Sequence, residues 1–189
     1  MPYRRTQFVA GEYYHLYNRG IDRQLIFLER ENYLFFLRRW QTYVSNAEVE
    51  LVAYCLMPNH YHLLVHLRTD DLSRLLQRLL LSYSKAFNRR YDRVGSLFEG
   101  PFKSAHVDRD EYLLHLSRYI HLNPVLAGLV AKAEDWEYSS YVDYIGLRNG
   151  TLPKPDVIMS RFGSPADYRQ FVEGHISADD AIISHLVLD

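Results

Sequence analysis

Two apolar stretches joined by Pro58-Asn59 restrict the fold of this chain more than any other feature of its sequence. The first, VELVAYCLM, covers residues 49–57, and the second, HYHLLVHL, covers residues 60–67. Both have the length and apolar character of β-strands, and Pro-Asn is a turn dipeptide. A connection this short allows only an antiparallel pairing. The chain therefore contains a β-hairpin, and its remaining segments must fit around a sheet.

Helical and strand patterns alternate on both sides of the hairpin. Residues 29–46 and 71–90 carry apolar side chains at helical spacing, which predicts an amphipathic helix in each. Residues 11–20 and 102–107 predict two further strands. With a last helix after these strands, the order is β-α-β-β-α-β-α. This order predicts an α+β fold: a ferredoxin-like split βαβ core around an antiparallel sheet, with one extra helix.

Local signals set the expected limits of the last helix, RDEYLLHLSRYIHLN (109–123). Asp108 is the expected N-cap residue, and Glu111, three positions later, completes a capping box. Pro124 disfavours helical backbone in the residue before it. The helix is therefore expected to end near Asn123.

Charge divides the chain into two parts. Residues 1–132 hold 18 Lys and Arg against 13 Asp and Glu, a net charge of +5, whereas residues 133–189 hold 4 against 10, a net charge of −6. We expect a basic domain over 1–132, which suits a polyanionic partner, and an acidic C-terminal extension over 133–189 packed on or near it. Two solvated surfaces of opposite sign would give the same count. Short helices are expected near 165–173 and 178–186.

The composition argues against several classes of protein. A single cysteine, Cys55, rules out an intramolecular disulfide and a zinc site built on two cysteines of this chain. No apolar run approaches the roughly 20 residues that span a bilayer. The N-terminal residues also lack the apolar core of a signal peptide. We therefore expect a soluble cytoplasmic protein with no membrane partner.

Three histidines, His60, His62 and His66, alternate with bulky residues along the second strand of the hairpin. Residues i and i+2 of a strand project from one face, so His60 and His62 could converge on one metal ion. A pair that is satisfied by hydrogen bonds or faces solvent is the alternative interpretation. His66 and His15 are interpreted as structural or exposed histidines.

The last helix could supply a third metal ligand. Its residues at steps of three and four form one stripe along the helix. These residues are Tyr112, His115, Tyr119 and Asn123. Asn123 can offer an amide oxygen to a metal, and Tyr119 lies one turn before it. If the stripe faces the histidine strand, a metal and a phenol meet at one place.

Two motifs, MPNHYHLLV (57–65) and RYIHLNPV (118–125), resemble those of the HUH-type single-tyrosine transposases of the IS200/IS605 class. The resemblance spans roughly residues 8–147 and is strongest to the branch called REP-associated tyrosine transposases. Further matching segments are YHLYNRGIDRQLIF, LFEGPFKSAHV and WEYSSYVDYIG. The family pattern is His-hydrophobic-His, with the large, partly polar Tyr61 at its centre. Alternation would turn Tyr61 to the opposite, packed face.

This resemblance implies roles for four residues. His60 and His62 match the metal-binding pair of the family, and Asn123 matches its third metal ligand. Tyr119 matches the nucleophile. The resemblance also implies a divalent metal, Mg²⁺ or Mn²⁺, as the cofactor.

The resemblance further implies the reaction of a catalytic domain over residues 1–132. Single-stranded DNA with hairpin structure would be cleaved and transferred through a covalent 5′-phosphotyrosine intermediate, by a monomer or a homodimer. Tyr112 and Tyr83 are rival nucleophiles, but neither occupies the motif position. Two alternatives stay open: a hairpin-binding module without catalysis, and a metal-dependent hydrolase that uses water, for which Glu99 is the nearest carboxylate.

Many aromatic residues stand beside Arg or Lys, and this pattern suits a single-stranded nucleic acid. The cations would contact phosphates and add salt dependence rather than sequence information. The candidates for DNA contacts are Arg4, Arg5, Lys85, Arg89, Arg90, Arg93 and Lys103.

Overall fold

The computed structural model describes residues 7–45, 48–174 and 180–185, and strands within them form one sheet. The strands are β1 (Tyr13–Arg19), β2 (Val49–Met57), β3 (His60–Leu67) and β4 (Lys103–Val107). They lie in the order β2-β3-β1-β4, and every neighbouring pair is antiparallel. Strand β3 thus lies between β1 and β2, as a split βαβ core requires. The expected α+β, ferredoxin-like fold is confirmed.

Helices α1 (Arg30–Tyr43) and α2 (Leu72–Arg90) cover one face of the sheet, called the helical face below. Alternation along β3 turns Tyr61, Leu63 and Val65 toward these helices. Tyr61 is fully buried there, as the sequence pattern predicts. The apolar side chains of the hairpin therefore explain why two amphipathic helices pack on this face.

The opposite face of the sheet carries His60 and His62 and is called the histidine face below. Helix α3 (Asp110–Leu126) packs across it, against β2 and β3. Cys55 and Leu64 belong to the apolar core between the sheet and this helix. The extra helix predicted from the sequence thus forms a second layer, on the side where the histidines lie.

The start of α3 differs from the expected one. The helix begins at Asp110, after Arg109, whose backbone is extended and whose side chain makes no capping hydrogen bond. The predicted capping box of Asp108 and Glu111 is therefore wrong, because Asp108 lies one residue too early to be the N-cap. Asp110 and Glu111 still lie in the first turn, where negative charge is favourable next to the positive end of the helix dipole.

The end of α3 also differs from the expected one, because the helix continues through Pro124 to Leu126. Proline lacks an N–H and so removes one helical hydrogen bond. The neighbouring bond is kept, since Ala127 N–H donates to the Asn123 carbonyl at 2.9 Å. Pro124 is also buried, so packing holds it in the helix. Asn123 consequently lies within the helix rather than at its end.

The C-terminal segment continues the layer on the histidine face. Two isolated β-bridges between backbones attach it to β2: Cys55 pairs with Ser139, and Leu51 pairs with Pro153. Its helices are α4 (Tyr141–Tyr144), α5 (Asp156–Met159), α6 (Pro165–Glu173) and α7 (Asp180–Ile183). The helix predicted near 165–173 is confirmed. The helix predicted at 178–186 falls partly outside the described residues, which show α7 alone. No helix in the described ranges is both long and apolar enough to cross a membrane.

Candidate active site

The pairing of β1 with β3 gathers polar side chains on the histidine face. His60 lies opposite Arg19, and His62 lies opposite Tyr17. Residues opposite each other in an antiparallel pair share a face, and so do residues two apart on one strand. His15, two residues before Tyr17, therefore joins the same group. The sheet thus presents three histidines, an arginine and a tyrosine to the layer formed by α3.

His60 and Asn123 meet where β3 faces α3. The Nε2 atom of His60 lies 3.1 Å from Oδ1 of Asn123, and its Nδ1 atom lies 2.7 Å from Oδ1 of Asn59. The ring centroids of His60 and His62 are 5.0 Å apart. The ring of Tyr119 stands almost perpendicular to that of His62, with 5.5 Å between centroids. The structure therefore brings together the two histidines, the tyrosine and the asparagine that the sequence motifs single out.

Burial favours the neutral form of both imidazoles. His62 is 1% exposed, and burial, followed by the charges of His15 and His60, lowers its pKa well below the usual value. Burial also lowers the pKa of His60, although its hydrogen bond with Asn123 acts in the opposite direction. Neutral imidazole is the form that binds a metal, because the bonding nitrogen must offer a lone pair.

The atoms around His60 fit a bound cation. A neutral imidazole carries a proton on one ring nitrogen only, yet both nitrogens of His60 face amide oxygens, which only accept hydrogen bonds. If Nδ1 donates to Asn59, the lone pairs of Nε2 and of the Asn123 oxygen face each other. A cation between them would satisfy both. Their separation of 3.1 Å is short enough for both atoms to bind the same ion.

The ligands available here would form a neutral set. Among the described residues, no three His, Cys, Asp or Glu side chains form a group that could hold a metal. A metal at this place would therefore bind two imidazoles and one amide oxygen, and its remaining positions would be open to water or phosphate. Such a set does not select its metal sharply, so Mg²⁺ and Mn²⁺ both stay predictions.

His15, interpreted from the sequence as a structural or exposed histidine, lies in contact with His62. It is fully buried, and its Nε2 atom lies 3.0 Å from Nδ1 of His62. Metal-binding histidines commonly use their second nitrogen in such a contact, which fixes the tautomer and the orientation of the ring. The signal in the sequence was the alternation of YYHLYNRG, which puts His15 and Tyr17 on one face. Only the register between β1 and β3 shows that this face is shared with His62.

A cavity of about 260 Å³ opens between β1 and the loop that precedes β4, at the strand residues that pair with His60 and His62. Tyr17, Arg19 and Lys103 line it, so the predicted DNA contact Lys103 lies next to the site. Arg19 donates two hydrogen bonds to the Glu99 carboxylate, and this contact lowers the pKa of Glu99. Glu99 is thus an ionised partner of Arg19, which makes it a poor candidate for the base of a hydrolase.

The other predicted DNA contacts lie elsewhere. Lys85, Arg89 and Arg90 belong to α2, on the helical face and thus across the sheet from His60. Arg93 follows α2 and hydrogen-bonds to Gln24 and Asn88. Arg4 and Arg5 fall outside the described residues. Their DNA contacts stay predictions, but the α2 cations do not lie beside the histidines.

The remaining candidates from the sequence lie apart from the histidine pair. Tyr83 is buried on the helical face, where its hydroxyl donates to the Ile26 carbonyl. Tyr112 packs against His185, near the start of α3. His66 lies on the histidine face but forms a 2.9 Å contact with the Glu50 carboxylate. Neither rival tyrosine packs against the histidine pair as Tyr119 packs against His62.

The chain resembles one family model, and its relatives include a curated protein and a solved structure. The model of the family described as "Transposase IS200 like" matches residues 8–123, more than half of the chain. A Haemophilus influenzae protein assigned as a REP-associated tyrosine transposase is 32% identical over 103 residues, and the match covers 49% of this chain and 58% of that protein. The structure of a REP-associated tyrosine transposase bound to a REP hairpin matches with a TM-score of 0.65 at 20% identity, covering 82% of this chain and 90% of that one. Because the family model matches more than half of the chain, including all four strands of the sheet, His60, His62 and Tyr119, the chain belongs to the IS200-like transposase family.

Proposed function

We propose that this chain cleaves hairpin-bearing single-stranded DNA and transfers the cleaved strand, with Tyr119 as the nucleophile. The observation that carries the proposal is the meeting of His60, His62, Asn123 and Tyr119 on the histidine face. Membership of a transposase family supports DNA as the substrate. Hairpin structure in that DNA is inferred from the related protein that is bound to a REP hairpin.

The chemistry requires an attack of the Tyr119 phenol oxygen on the scissile phosphorus. A new P–O bond forms to Tyr119, the bond from phosphorus to the 3′ oxygen breaks, and this oxygen leaves as a 3′-OH with a proton. The phenol proton is lost in the same step. The 5′-phosphotyrosine keeps the free energy of a phosphodiester, so the 3′-OH of another strand can displace Tyr119 without ATP.

The side chains around Tyr119 would prepare the site for this attack. His60, His62 and Asn123 would hold a divalent cation, which when bound polarises the scissile phosphate and neutralises charge in the transition state. Asn59 and His15 orient the two imidazoles, and burial keeps them neutral. Because Tyr119 and Asn123 lie one turn apart on the rigid α3, the nucleophile and the ligand set keep a fixed spacing.

A single substitution tests the nucleophile. Wild-type protein, a hairpin-bearing oligonucleotide and Mn²⁺ are expected to give a protein–DNA adduct that survives denaturing electrophoresis. Tyr119→Phe should abolish the adduct and still bind the oligonucleotide, because only the attacking oxygen is lost. Tyr112→Phe is the matched control on the same helix and should form the adduct normally.

Each other outcome rejects part of the proposal. An adduct that persists in Tyr119→Phe would show that another side chain is the nucleophile. Cleavage without any adduct would favour a hydrolase that uses water. Binding without cleavage by the wild type would favour a non-catalytic hairpin-binding module.

A further inference from the structure

Arg19 is the only Lys or Arg of strands β1 and β3, and it lies directly opposite His60. Residues opposite each other in an antiparallel pair share a face of the sheet. Burial is the main cause of the lowered pKa of His60, and the charge of Arg19 lowers this pKa further. Arg19 is therefore close enough to the histidine face to interact with a charged group that is held there.

In the structure the guanidinium of Arg19 is held by Glu99. Its Nη2 atom donates to Oε1 of Glu99 at 3.0 Å, and its Nε atom donates to the other carboxylate oxygen. The two side chains keep 28% and 45% of their surface exposed. Ion pairs exposed to this degree contribute little to folding, because water solvates both charges. An incoming anion can therefore replace Glu99 at a small cost in free energy.

The loop that carries Glu99 does not depend on this ion pair for its position. The backbone N–H of Glu99 donates to the Arg19 carbonyl at 3.0 Å. The side-chain amide of Asn18 donates to the Gly100 carbonyl, also at 3.0 Å. Because these hydrogen bonds do not involve the guanidinium, the ion pair can open while the loop stays attached to β1.

Open space lies on both sides of the ion pair. Arg19 and Glu99 line two cavities, of about 260 and 290 Å³, and form the wall between them. Lys103 lines one cavity, and Arg23 lines the other. After the contact with Arg19, the charges of these two residues also lower the pKa of Glu99. The Glu99 carboxylate would therefore still have cationic neighbours if Arg19 moved away.

We propose that Arg19 is a catalytic residue that exchanges the Glu99 carboxylate for the scissile phosphate when the DNA strand binds. This inference rests on the proposed function and adds a residue to its site. The proposed ligand set of two imidazoles and an amide is neutral, so the guanidinium supplies positive charge that these side chains lack. A guanidinium binds phosphate through paired hydrogen bonds, as it binds a carboxylate. Cations placed on a transferring phosphoryl group stabilise its transition state.

The exchange gives Glu99 a definite role, that of a competing anion. In the free protein Glu99 occupies the hydrogen-bond donors that the phosphate needs. Removal of the Glu99 charge should therefore favour DNA binding, whereas removal of the Arg19 charge should oppose it. A purely structural ion pair predicts the same loss from either substitution, since both break the same contact.

Opposite effects on DNA affinity test the exchange. The hairpin-bearing oligonucleotide is fluorescently labelled and titrated with the Tyr119→Phe protein and Mn²⁺, and its anisotropy is followed at several salt concentrations. Glu99→Gln in this background should tighten binding about threefold or more, because a competing ion pair is lost. Arg19→Gln should weaken binding and reduce the slope of log K against log salt by about 0.7, the value for one phosphate contact to a single strand.

The rate of adduct formation tests the catalytic role in the protein that keeps Tyr119. With saturating oligonucleotide, Arg19→Gln should slow adduct formation about 100-fold, the usual effect of removing one donor to a reacting oxygen. Arg19→Lys should recover part of the rate, because it keeps the charge but not the paired hydrogen bonds. Glu99→Gln should form the adduct at least as fast as the wild type.

The matched control is the ion pair of Arg68 with Glu50, at the other end of β3. Arg68→Gln and Glu50→Gln should leave both affinity and rate unchanged. Changes in the control pair as large as those at Arg19 and Glu99 would reduce the effect to net charge and overturn the proposal. Equal losses of affinity in Arg19→Gln and Glu99→Gln would also overturn it. Absence of a wild-type adduct rejects the proposed function, whereas a normal rate in Arg19→Gln rejects only this inference.

Discussion

His62 has a partner that limits how it can act. Its Nδ1 atom faces Nε2 of His15 at 3.0 Å, so its Nε2 atom is the nitrogen left for a metal. The two rings are stacked, with centroids 5.2 Å apart, and both residues are buried. A buried imidazole without this contact would have an unsatisfied nitrogen and a less defined ring orientation. His15 is therefore expected to act through His62 rather than on the substrate.

Substitution of His15 should lower metal affinity without removing a ligand. His15→Leu is expected to weaken Mn²⁺ binding about 10- to 100-fold, the usual effect of losing such an outer contact. His15→Gln should recover part of the affinity, because its amide oxygen can accept the hydrogen bond from Nδ1 of His62. Isothermal titration calorimetry of the DNA-free protein gives the affinities.

The matched control for this series is His66→Gln, since His66 lies on the same face but pairs with Glu50. It should bind Mn²⁺ as the wild type does. Equal affinities for wild type and His15→Leu would show that His15 is a packing residue only.

At the scale of elements, a buried hydrogen-bond network attaches α3 to the C-terminal segment. The Tyr168 hydroxyl of α6 lies 2.7 Å from Nδ1 of His121 and 3.1 Å from Oγ of Ser117, both on α3. The Nε2 atom of His121 lies 2.8 Å from Oγ of Ser140. These groups have almost no exposed surface, so none can exchange its partner for water. This hydrogen-bond network thus fixes the rotation of α3, the helix that carries Tyr119.

Tyr168→Phe should show how much this hydrogen-bond network contributes to the free energy of unfolding. The substitution keeps the ring but leaves the buried groups of His121 and Ser117 without their shared partner. We expect a loss of about 1–3 kcal/mol in the free energy of unfolding, measured by urea denaturation. Tyr112→Phe is the control, because no hydroxyl hydrogen bond of Tyr112 occurs among the described contacts, and it should change stability little. If the Tyr168→Phe protein is as stable as this control, the hydrogen-bond network does not contribute to stability.

The elements differ in how far local sequence determines them. The hairpin and the limits of α2 were predicted to within a residue, because strand alternation, helical spacing and turn residues are local signals. The end of α3 was predicted wrongly, because the rule for proline is local whereas the burial of Pro124 is tertiary. His60, His62, Asn123 and Tyr119 could be singled out through their motifs. The contact of His15 with His62 could not, since it depends on the register of two distant strands.

At the scale of the molecule, the C-terminal segment completes the core on the histidine face. Tyr144 is buried and donates its hydroxyl to the Val52 carbonyl at 2.9 Å. Cys55 is fully buried in the same core, and its backbone forms an isolated β-bridge with that of Ser139. A boundary near residue 132, drawn from charge, stays a prediction. From these contacts we expect the described residues on both sides of it to unfold as one cooperative unit.

The thiol of Cys55 can report this cooperativity, because it is the only cysteine of the chain. Burial covers the sulfur and raises the pKa of the thiol, so a disulfide reagent should label it only in molecules that have opened. If the chain is one unit, the free energy of opening from the labelling rate should equal that of unfolding in urea. Tyr144→Ala should lower both by about 3–5 kcal/mol, the usual cost of truncating a large buried aromatic side chain. Leu147→Ala, an exposed position of the same segment, should change neither. If the free energy of opening from the labelling rate is much smaller than the free energy of unfolding in urea, the C-terminal segment detaches on its own while the sheet stays folded.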